Sequence, residues 1–318
     1  MRARISGTGS CIPLHRLDNE AISRMVDTSD AWIRERTGIE SRHVICEEST
    51  VSMAAEAAER ALQNAGMDPE EIDMILVSTI SSEVILPCTA CEVQRRIGAV
   101  NAAGFDINAA CAGFLVAYQT AEMYIASGMY RNILVIGSEG LSHLVNWKDR
   151  GTCILFGDGA GAAVVTSQSG ERLEGACHSD GKKGTALTCR TRYNEDEMPD
   201  DRCYMQMDGQ AVFRFAVKKV PEVIEEVLEK NHLSKDEIDW FILHQANGRI
   251  LESVARRLEV GIEKFPMNLQ EYGNTSSASV PILLDEMNRK GCLKPGQNIV
   301  MAAFGAGLTW GASIIQWQ

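Results

Sequence analysis

Short apolar segments recur along the chain without alternation, and polar turns or amphipathic stretches separate them. Residues 131–137 (RNILVIG) and 297–303 (QNIVMAA) are examples. Strands that are apolar on both faces are typical of sheets covered by helices on both sides. Residues 211–230 instead place apolar side chains at i, i+3, i+4 and i+7, which predicts a helix with one buried face. The patterning therefore predicts an α/β fold.

The same order of elements occurs twice. Residues 57–77 and 223–243 each read as a helix, an acidic turn, the triplet EID and an apolar strand, with an offset of 166 residues. The two strands named above are separated by the same offset. We therefore predict a duplicated fold with an N-terminal half at 1–168 and a C-terminal half at 169–318. The polar segment 170–210 is predicted to form excursions from the core.

Cys111 lies where the apolar strand at 104–108 gives way to a helical pattern that starts near Ala112. Unpaired N–H groups and the dipole at a helix N-terminus favour an anion. We therefore expect the thiol pKa to lie below that of free cysteine, which enlarges the nucleophilic thiolate fraction. Neighbouring alanines and Gly113 leave room for a substrate. A buried structural cysteine is the alternative interpretation.

His244 and Asn274 occupy comparable places in the second half. His244 ends the strand of the second EID repeat, and strand ends meet the sheet edge where α/β proteins bind ligands. Asn274 follows the second copy of the strand that precedes Cys111, and it also opens a helical pattern. The turns at Cys111 and Asn274 are therefore predicted to be pseudo-symmetric mates facing the middle of the molecule. A helix N-cap is the alternative role for Asn274.

Composition narrows the classes of function. A net charge of −12 argues against general nucleic-acid binding, and no apolar run reaches the roughly 18 residues of a membrane span. The first residues lack the apolar core of a secretory signal, so we expect a cytoplasmic protein without a membrane segment. The ten scattered cysteines predict reduced thiols. Cys88 and Cys91 have C-x-x-C spacing, but no second pair accompanies them, so no metal site is predicted.

Five motifs point to one family. They are AACAGF around Cys111, HQANGRI from His244, YGNTSSAS around Asn274, DTSDAWIRERTGIESRH at 27–43 and LFGDGAGA at 155–162. Through them the sequence resembles the 3-oxoacyl-[acyl-carrier-protein] synthase III family of the thiolase superfamily, over essentially the whole chain. The resemblance implies a thiolase-like duplicated α/β fold with layered mixed sheets and buried central helices. It also implies a homodimer.

The resemblance implies decarboxylative Claisen condensation of a short acyl-CoA primer, such as acetyl-CoA, with malonyl-[acyl carrier protein]. This reaction initiates fatty acid synthesis and needs no cofactor. Cys111 would carry the primer as a thioester. His244 and Asn274 would hydrogen-bond the malonyl thioester carbonyl while carbon dioxide leaves. The N–H groups of Cys111 and Ala306 would form the oxyanion hole.

Substrate contacts follow from the same resemblance. Trp32 and Arg150 would hold the CoA adenine, because an aromatic face and a guanidinium plane can sandwich a base. The other predicted CoA or substrate contacts are Thr28, Arg36, Gly209, Phe213, Asn247 and, in the primer pocket, Leu86. The predicted carrier-protein contacts are Gln245, Ala246, Asn247, Gly248, Arg249, Arg214 and Arg256. Leucine at 86, where some relatives have phenylalanine, leaves longer or branched primers open.

Other interpretations stay open. A same-fold condensing enzyme could prime a polyketide or another secondary metabolite. The chain order Cys, His, Asn also occurs in papain-like hydrolases, although these carry the nucleophile near the mature N-terminus. A non-catalytic scaffold could keep the fold without the chemistry, but the presence of Cys111, His244 and Asn274 argues against it.

Overall fold

The computed structural model describes residues 1–190 and 203–318. A five-stranded sheet, in the order β1-β7-β6-β4-β5, forms the N-terminal half. β4 pairs in parallel with β5 and β6, whereas β7 runs antiparallel to both β6 and β1. The strands are β1 (Arg2–Cys11), β4 (Met74–Ser78), β5 (Ala103–Ile107), β6 (Asn132–Glu139) and β7 (Gly159–Gln168).

A second sheet repeats this arrangement without the outermost strand. Its order is β11-β12-β13-β8, with β11 parallel to β12 and the other pairs antiparallel. The strands are β8 (Ala176–Ser179), β11 (Trp240–Leu243), β12 (Asn298–Gly305) and β13 (Thr309–Gln316). Two small ribbons complete the strands of the described residues, β2 (His15–Asp18) with β3 (Ser41–Val44) and β9 (Leu187–Thr188) with β10 (Gln206–Met207).

The expectation that residues 170–210 only leave the core is wrong for β8. This strand adds four residues to the edge of the second sheet through its pairing with β13, which ties the start of the segment to the core. β9 and β10 do form a separate ribbon. Residues 191–202 of the segment lie outside the described residues.

Helices form three layers around the two sheets. α5 and α10 lie between the sheets, because their buried side chains pack against β4, β6, β11 and β12 together. α3 and α4 cover the outer face of the first sheet, and α7 and α8 cover that of the second. The helices are α1 (Asn19–Ser23), α2 (Asp30–Thr37), α3 (Thr50–Ala65), α4 (Thr89–Ile97), α5 (Gly113–Ser127), α6 (Arg150–Cys153), α7 (Gly209–Lys230), α8 (Gly248–Leu258), α9 (Leu269–Tyr272) and α10 (Ser279–Arg289).

The sequence repeat is visible in local hydrogen bonding. In the first half the Asp73 carboxylate accepts the N–H of Asn132 at 2.9 Å, and in the second half Asp239 accepts that of Asn298 at 2.8 Å. Each acidic residue thereby ties the start of the EID strand to its parallel neighbour, at the offset of 166 found in the sequence. The domain boundary between residues 168 and 169 remains a prediction.

No helix within the described ranges is long and apolar enough to cross a bilayer.

Candidate active site

Cys111 lies in a single 3₁₀ turn (Ala110–Ala112) that leads directly into the buried helix α5. Ala110 has a left-handed φ of 47°, which turns the chain sharply after β5 and aims the cysteine between the two sheets. The end of β12 passes very close to this turn. A Cβ on Gly305 would lie only 2.6 Å from the Cys111 nitrogen, so glycine is required there.

The thiol of Cys111 is not activated in the way we expected. Burial raises its pKa to about 12, and the nearby Glu139 carboxylate adds to this increase. Ser276 and the Cys111 N–H lower the pKa, but their combined effect is smaller than that of burial. Only 8% of the residue is exposed, so the lost hydration of a thiolate outweighs the helix-terminus effect. The expectation of a lowered pKa is therefore wrong, and the free thiol is neutral.

His244 follows β11 directly, and its backbone N–H donates to Ala302 on β12. The buried ring contacts Phe304 edge-on, with 5.3 Å between the ring centroids. Its Nδ1 is 2.7 Å from the Ser279 hydroxyl, which also accepts the Gln245 N–H. The hydroxyl can therefore donate its own hydrogen to Nδ1, which leaves Nε2 as the protonated ring nitrogen. Burial lowers the His244 pKa to about 3, so the ring is neutral.

Asn274 is fixed between two loops. Its backbone N–H donates to Leu155 and its carbonyl accepts the N–H of Gly157. The side-chain Oδ1 accepts the N–H of Ser276 at 2.9 Å. The oxygen end of the amide is thus used, and Nδ2 is the end that can donate to a ligand.

The duplication relates the two turns more closely than we predicted. The offset of 166 pairs Cys111 with Ser277 and Asn108 with Asn274, so the asparagine is the mate of Asn108 rather than of the cysteine. A second 3₁₀ turn, Ser276–Ala278, begins like the first, because Ser276 has a φ of 50° where Ala110 has 47°. Each half therefore presents the same turn, and only one of them carries the thiol.

One cavity of about 540 Å³ brings the three predicted catalytic residues together. Cys111, His244 and Asn274 line its inner end with Phe304 and Gly305. Its walls extend over α7, α8 and the end of α2, and include Arg36, Gly209, Phe213, Ala246 and Asn247. The cavity thus leads from the thiol past five of the residues predicted to contact CoA or the carrier protein.

The predicted adenine sandwich is closed in this structure. The Arg150 guanidinium lies 4.9 Å from the Trp32 ring centroid, so a base cannot enter until the two separate. Arg36 stacks on the same ring at 5.4 Å. The hydroxyl of Thr28 is buried and has no hydrogen-bond partner among the described residues.

Asn247 has two structural roles at the cavity wall. Its Oδ1 caps α8 through the N–H of Arg249, and its Nδ2 donates to the Arg36 carbonyl on α2. Two other predicted residues lie elsewhere. Leu86 is 83% exposed and does not line the cavity. Ala306 lines a second cavity, which Ala110 also borders.

The predicted carrier contacts divide into buried and exposed residues. Gln245 is completely buried and its amide bonds the backbone of Leu243 and Asn268, so it supports the loop and cannot contact another protein directly. Gly248 is also buried. Arg214, Arg249 and Arg256 are exposed on α7 and α8.

Sequence reasoning missed three residues close to the thiol and imidazole. Ser276 contacts the Cys111 sulfur, Ser279 contacts His244, and Glu139 is the buried carboxylate that acts on Cys111. The serines belong to the NTSSAS motif, and Glu139 ends a strand as His244 does. The strand-end argument applied to His244 would have identified Glu139 as well. No cluster of three or more potential metal ligands occurs among the described residues.

Comparisons with known proteins agree with this architecture. The family model described as 3-oxoacyl-[acyl-carrier-protein (ACP)] synthase III matches residues 105–181, and its C-terminal model matches 228–317. The beta-ketoacyl-[acyl-carrier-protein] synthase III of Caldanaerobacter subterraneus subsp. tengcongensis is 47% identical over 324 residues, which cover 99% of this chain and 98% of the relative.

Two solved structures have the same fold. The 3-oxoacyl-[acyl-carrier-protein] synthase III of Aquifex aeolicus superposes with a TM-score of 0.94 at 42% identity, covering 99% of this chain and 100% of that one. The priming beta-ketosynthase of the R1128 polyketide pathway superposes with a TM-score of 0.94 at 35% identity, covering 99% and 96%. The predicted thiolase-like fold is confirmed. The chain belongs to the 3-oxoacyl-[acyl-carrier-protein] synthase III family of condensing acyltransferases.

Proposed function

We propose that this enzyme condenses a short acyl-CoA primer with malonyl-[acyl carrier protein], with loss of carbon dioxide, to give a 3-oxoacyl chain on the carrier. The observation that carries the proposal is the single cavity lined by Cys111, His244 and Asn274. A thiol at the inner end of a cavity suits a nucleophile that must reach a thioester held on a long, flexible arm.

The first half-reaction forms a thioester on Cys111. The sulfur attacks the carbonyl carbon of the primer, and CoA leaves with its sulfur. Because the free thiol is neutral, its proton must depart as the new bond forms. Arg36, Phe213 and Asn247 line the route by which the pantetheine arm would enter. Trp32 and Arg150 would open to receive the adenine.

The second half-reaction is decarboxylation of the malonyl group. Negative charge develops on the thioester oxygen as the enolate forms, so fixed donors stabilise the transition state more than the substrate. Nε2–H of His244 and Nδ2–H of Asn274 are the two donors that supply this stabilisation. Both side chains are held by a bond at their opposite end, to Ser279 and to Ser276 respectively.

The enolate carbon then attacks the acyl group on Cys111, and the thioester oxygen becomes negative. The Cys111 N–H is one donor for this oxyanion, at the start of α5 where the helix dipole assists. The N–H of Ala306 is the proposed second donor. Collapse of the intermediate returns the cysteine and releases the lengthened chain on the carrier.

An exposed basic face would receive the acidic carrier protein. Arg214 on α7 and Arg249 and Arg256 on α8 are exposed, and the two helices are tied by the Arg257 bond to Val217. Arg249 also reaches the Phe213 ring at the cavity wall. This face therefore combines attraction for an acidic protein with the entrance for its pantetheine arm.

We also propose that the enzyme is a homodimer. The loop after β4 exposes three consecutive apolar residues, Val84, Ile85 and Leu86, by 45%, 75% and 83%. Such a patch is typical of an interface. In a dimer, Leu86 would reach the primer pocket of the partner.

The proposed function is tested by measuring the two half-reactions separately. Cys111→Ser should abolish condensation. His244→Ala and Asn274→Ala should still form the acyl-enzyme from acetyl-CoA but release no carbon dioxide from malonyl-[acyl carrier protein]. Equal loss of both half-reactions in all three variants would contradict the assignment of roles.

Priming of a polyketide is a second candidate, because the R1128 priming ketosynthase shares the fold at 35% identity. The two candidates differ in primer and carrier rather than in chemistry. Loading with a panel of acyl-CoAs, followed by transfer to carriers of each pathway type, distinguishes them.

A further inference from the structure

Glu139 is a completely buried carboxylate at the end of β6. One oxygen accepts the hydroxyls of Ser276 at 3.1 Å and Ser277 at 2.8 Å. The other accepts the Ser81 hydroxyl at 2.7 Å and the Ile80 N–H at 3.1 Å. The same oxygen also accepts the Thr79 hydroxyl at 3.3 Å. Five donors therefore surround the buried carboxylate and hold it in a fixed position beside the active-site turn.

Ser276 connects this carboxylate to the nucleophile. Its hydroxyl donates to Glu139 at 3.1 Å. Its oxygen lies beside the Cys111 sulfur, in the turn that packs against the cysteine, so it can accept the S–H hydrogen and connect thiol to carboxylate. Ser277 reaches the same carboxylate oxygen, but its hydroxyl is shared with the Ser78 carbonyl. Two adjacent serines thus hold Glu139, and Ser276 is the one that lies beside the sulfur.

The thiol needs a proton acceptor, and the nearby imidazole is poorly suited to that role. Burial lowers the His244 pKa to about 3, so its ring holds an added proton weakly. Burial raises the pKa of Glu139, so its carboxylate takes up a proton readily. Transfer from Cys111 to Glu139 also moves a single negative charge within the site instead of creating a new pair.

We propose that Glu139 receives the Cys111 proton through the Ser276 hydroxyl when the sulfur attacks the acyl-CoA. The S–H proton passes to Ser276, whose own hydrogen passes to Glu139, while the sulfur electron pair forms the bond to the acyl carbon. As the carbon–sulfur bond to CoA breaks, the proton returns along the same path to the departing CoA sulfur. Glu139 is then a carboxylate again. This inference rests on the proposed function.

The other titratable groups at this end of β6 are engaged elsewhere. Glu83, in the loop after β4, accepts the N–H of Thr50 at the start of α3. Asp158, just before β7, accepts the N–H groups of Ile45 and Ser142, and His143 acts on its charge. The two 3₁₀ turns that pack near Glu139 contribute Cys111, Ser276 and Ser277. The pH dependence of the thiol is therefore attributed to Glu139.

The test is single-turnover acylation by acetyl-CoA, followed by quenched mass spectrometry across the pH range. General-base assistance contributes about 100-fold or more, so Glu139→Gln should acylate about 100-fold more slowly than wild type near neutral pH. Its rate should then rise about tenfold per pH unit, because only hydroxide can remove the proton. The wild-type rate should level off once Glu139 is ionised.

Ser276→Ala should reproduce the profile of Glu139→Gln. Ser138→Ala is the matched control that should keep the wild-type profile, because its buried hydroxyl donates to the Thr50 carbonyl and not to Glu139. Because Ser276 has a left-handed φ, Ser276→Gly serves as a second variant that suits this backbone. An acylation rate of Glu139→Gln close to wild type at neutral pH overturns the proposal. A loss of rate in Glu139→Gln that is equal at every pH also overturns it, because this result indicates a structural role. An equal effect of the two serine-to-alanine substitutions overturns it as well.

Alkylation of Cys111 by iodoacetamide, read on its own peptide, separates this proposal from the proposed function. The reagent needs the same deprotonation but no acyl-CoA. If acetyl-CoA acylates neither wild type nor the variants, but the pH profile of alkylation still differs between wild type and Glu139→Gln as predicted for acylation, the relay stands and the proposed function fails. If acylation proceeds and neither profile changes in Glu139→Gln, the relay fails alone.

Discussion

His244 should act as a neutral hydrogen-bond donor throughout the working pH range. Burial lowers its pKa from 6.5 to about 3, and this shift corresponds to about 5 kcal/mol against the charged ring. At about pH 5.5, one unit below the ordinary pKa, an exposed histidine would be about 90% protonated. At the same pH, His244 should remain more than 99% neutral. The decarboxylation rate should therefore be nearly independent of pH where an ordinary histidine titrates.

The assay is carbon dioxide release from malonyl-[acyl carrier protein] by the Cys111→Ala variant, which isolates this half-reaction. We expect rates within about twofold between roughly pH 5.5 and 8.5, whereas titration with an ordinary pKa would reduce the rate about tenfold at the acidic end. A transition near pH 6.5 that persists when Glu139→Gln is added would refute the neutral donor. A transition that disappears with Glu139→Gln belongs to that carboxyl.

The same shift has a consequence for stability. The folded-state pKa of His244 is lowered, so the unfolded chain binds a proton that the folded chain does not. The contribution of His244 to the free energy of unfolding is therefore fully present above about pH 6.5, and it decreases by about 1.4 kcal/mol for each pH unit below that. Between roughly pH 7.5 and 5.5, the free energy of unfolding measured with denaturant should fall by about 1.4 kcal/mol less in His244→Gln than in wild type.

Three further predictions concern packing and substrate contacts. Gly305→Ala should destabilise the fold by about 1–3 kcal/mol and slow acylation, because its Cβ would lie 2.6 Å from the Cys111 backbone nitrogen. Gly181→Ala, whose Cβ would meet nothing within 4 Å, is the control in thermal unfolding, and equal effects would contradict this reasoning. Trp32→Ala should raise the KM for acetyl-CoA about tenfold with little change in kcat, since a cation–π and stacking surface is lost; an unchanged KM would argue against adenine binding there. Arg249→Glu should raise the KM for malonyl-[acyl carrier protein] in a salt-dependent way. Lys294→Glu, an exposed position just before the start of β12, is the control and should leave this KM unchanged. Similar effects of both substitutions would exclude a local docking face.

The sequence allowed the layout of the site to be predicted because it depends on strand ends and on the repeat. His244 and Asn274 occupy the positions in the second half that correspond to Ser78 and Asn108 in the first. These positions meet at one edge of each sheet, so their convergence required only the order of the strands. The offset also contained the correct pairing of Cys111 with Ser277.

The protonation states could not be predicted in the same way. They depend on how completely side chains from both halves exclude water, and Phe304 beside His244 is an example that no local pattern indicates. The helix-terminus argument for Cys111 was sound in sign, but it omitted the larger cost of burying a thiolate. Gln245 likewise looked accessible within a contact motif, whereas its amide holds the loop from inside.

The most direct test of the whole account is to locate the acyl group. Wild-type enzyme and His244→Ala are incubated with acetyl-CoA, digested and analysed by mass spectrometry, with Cys111→Ala as the blank. The account predicts one acetyl group on the peptide that contains Cys111 in both proteins and none in the blank. An unmodified Cys111, or an acetyl group on another of the ten cysteines, would contradict it.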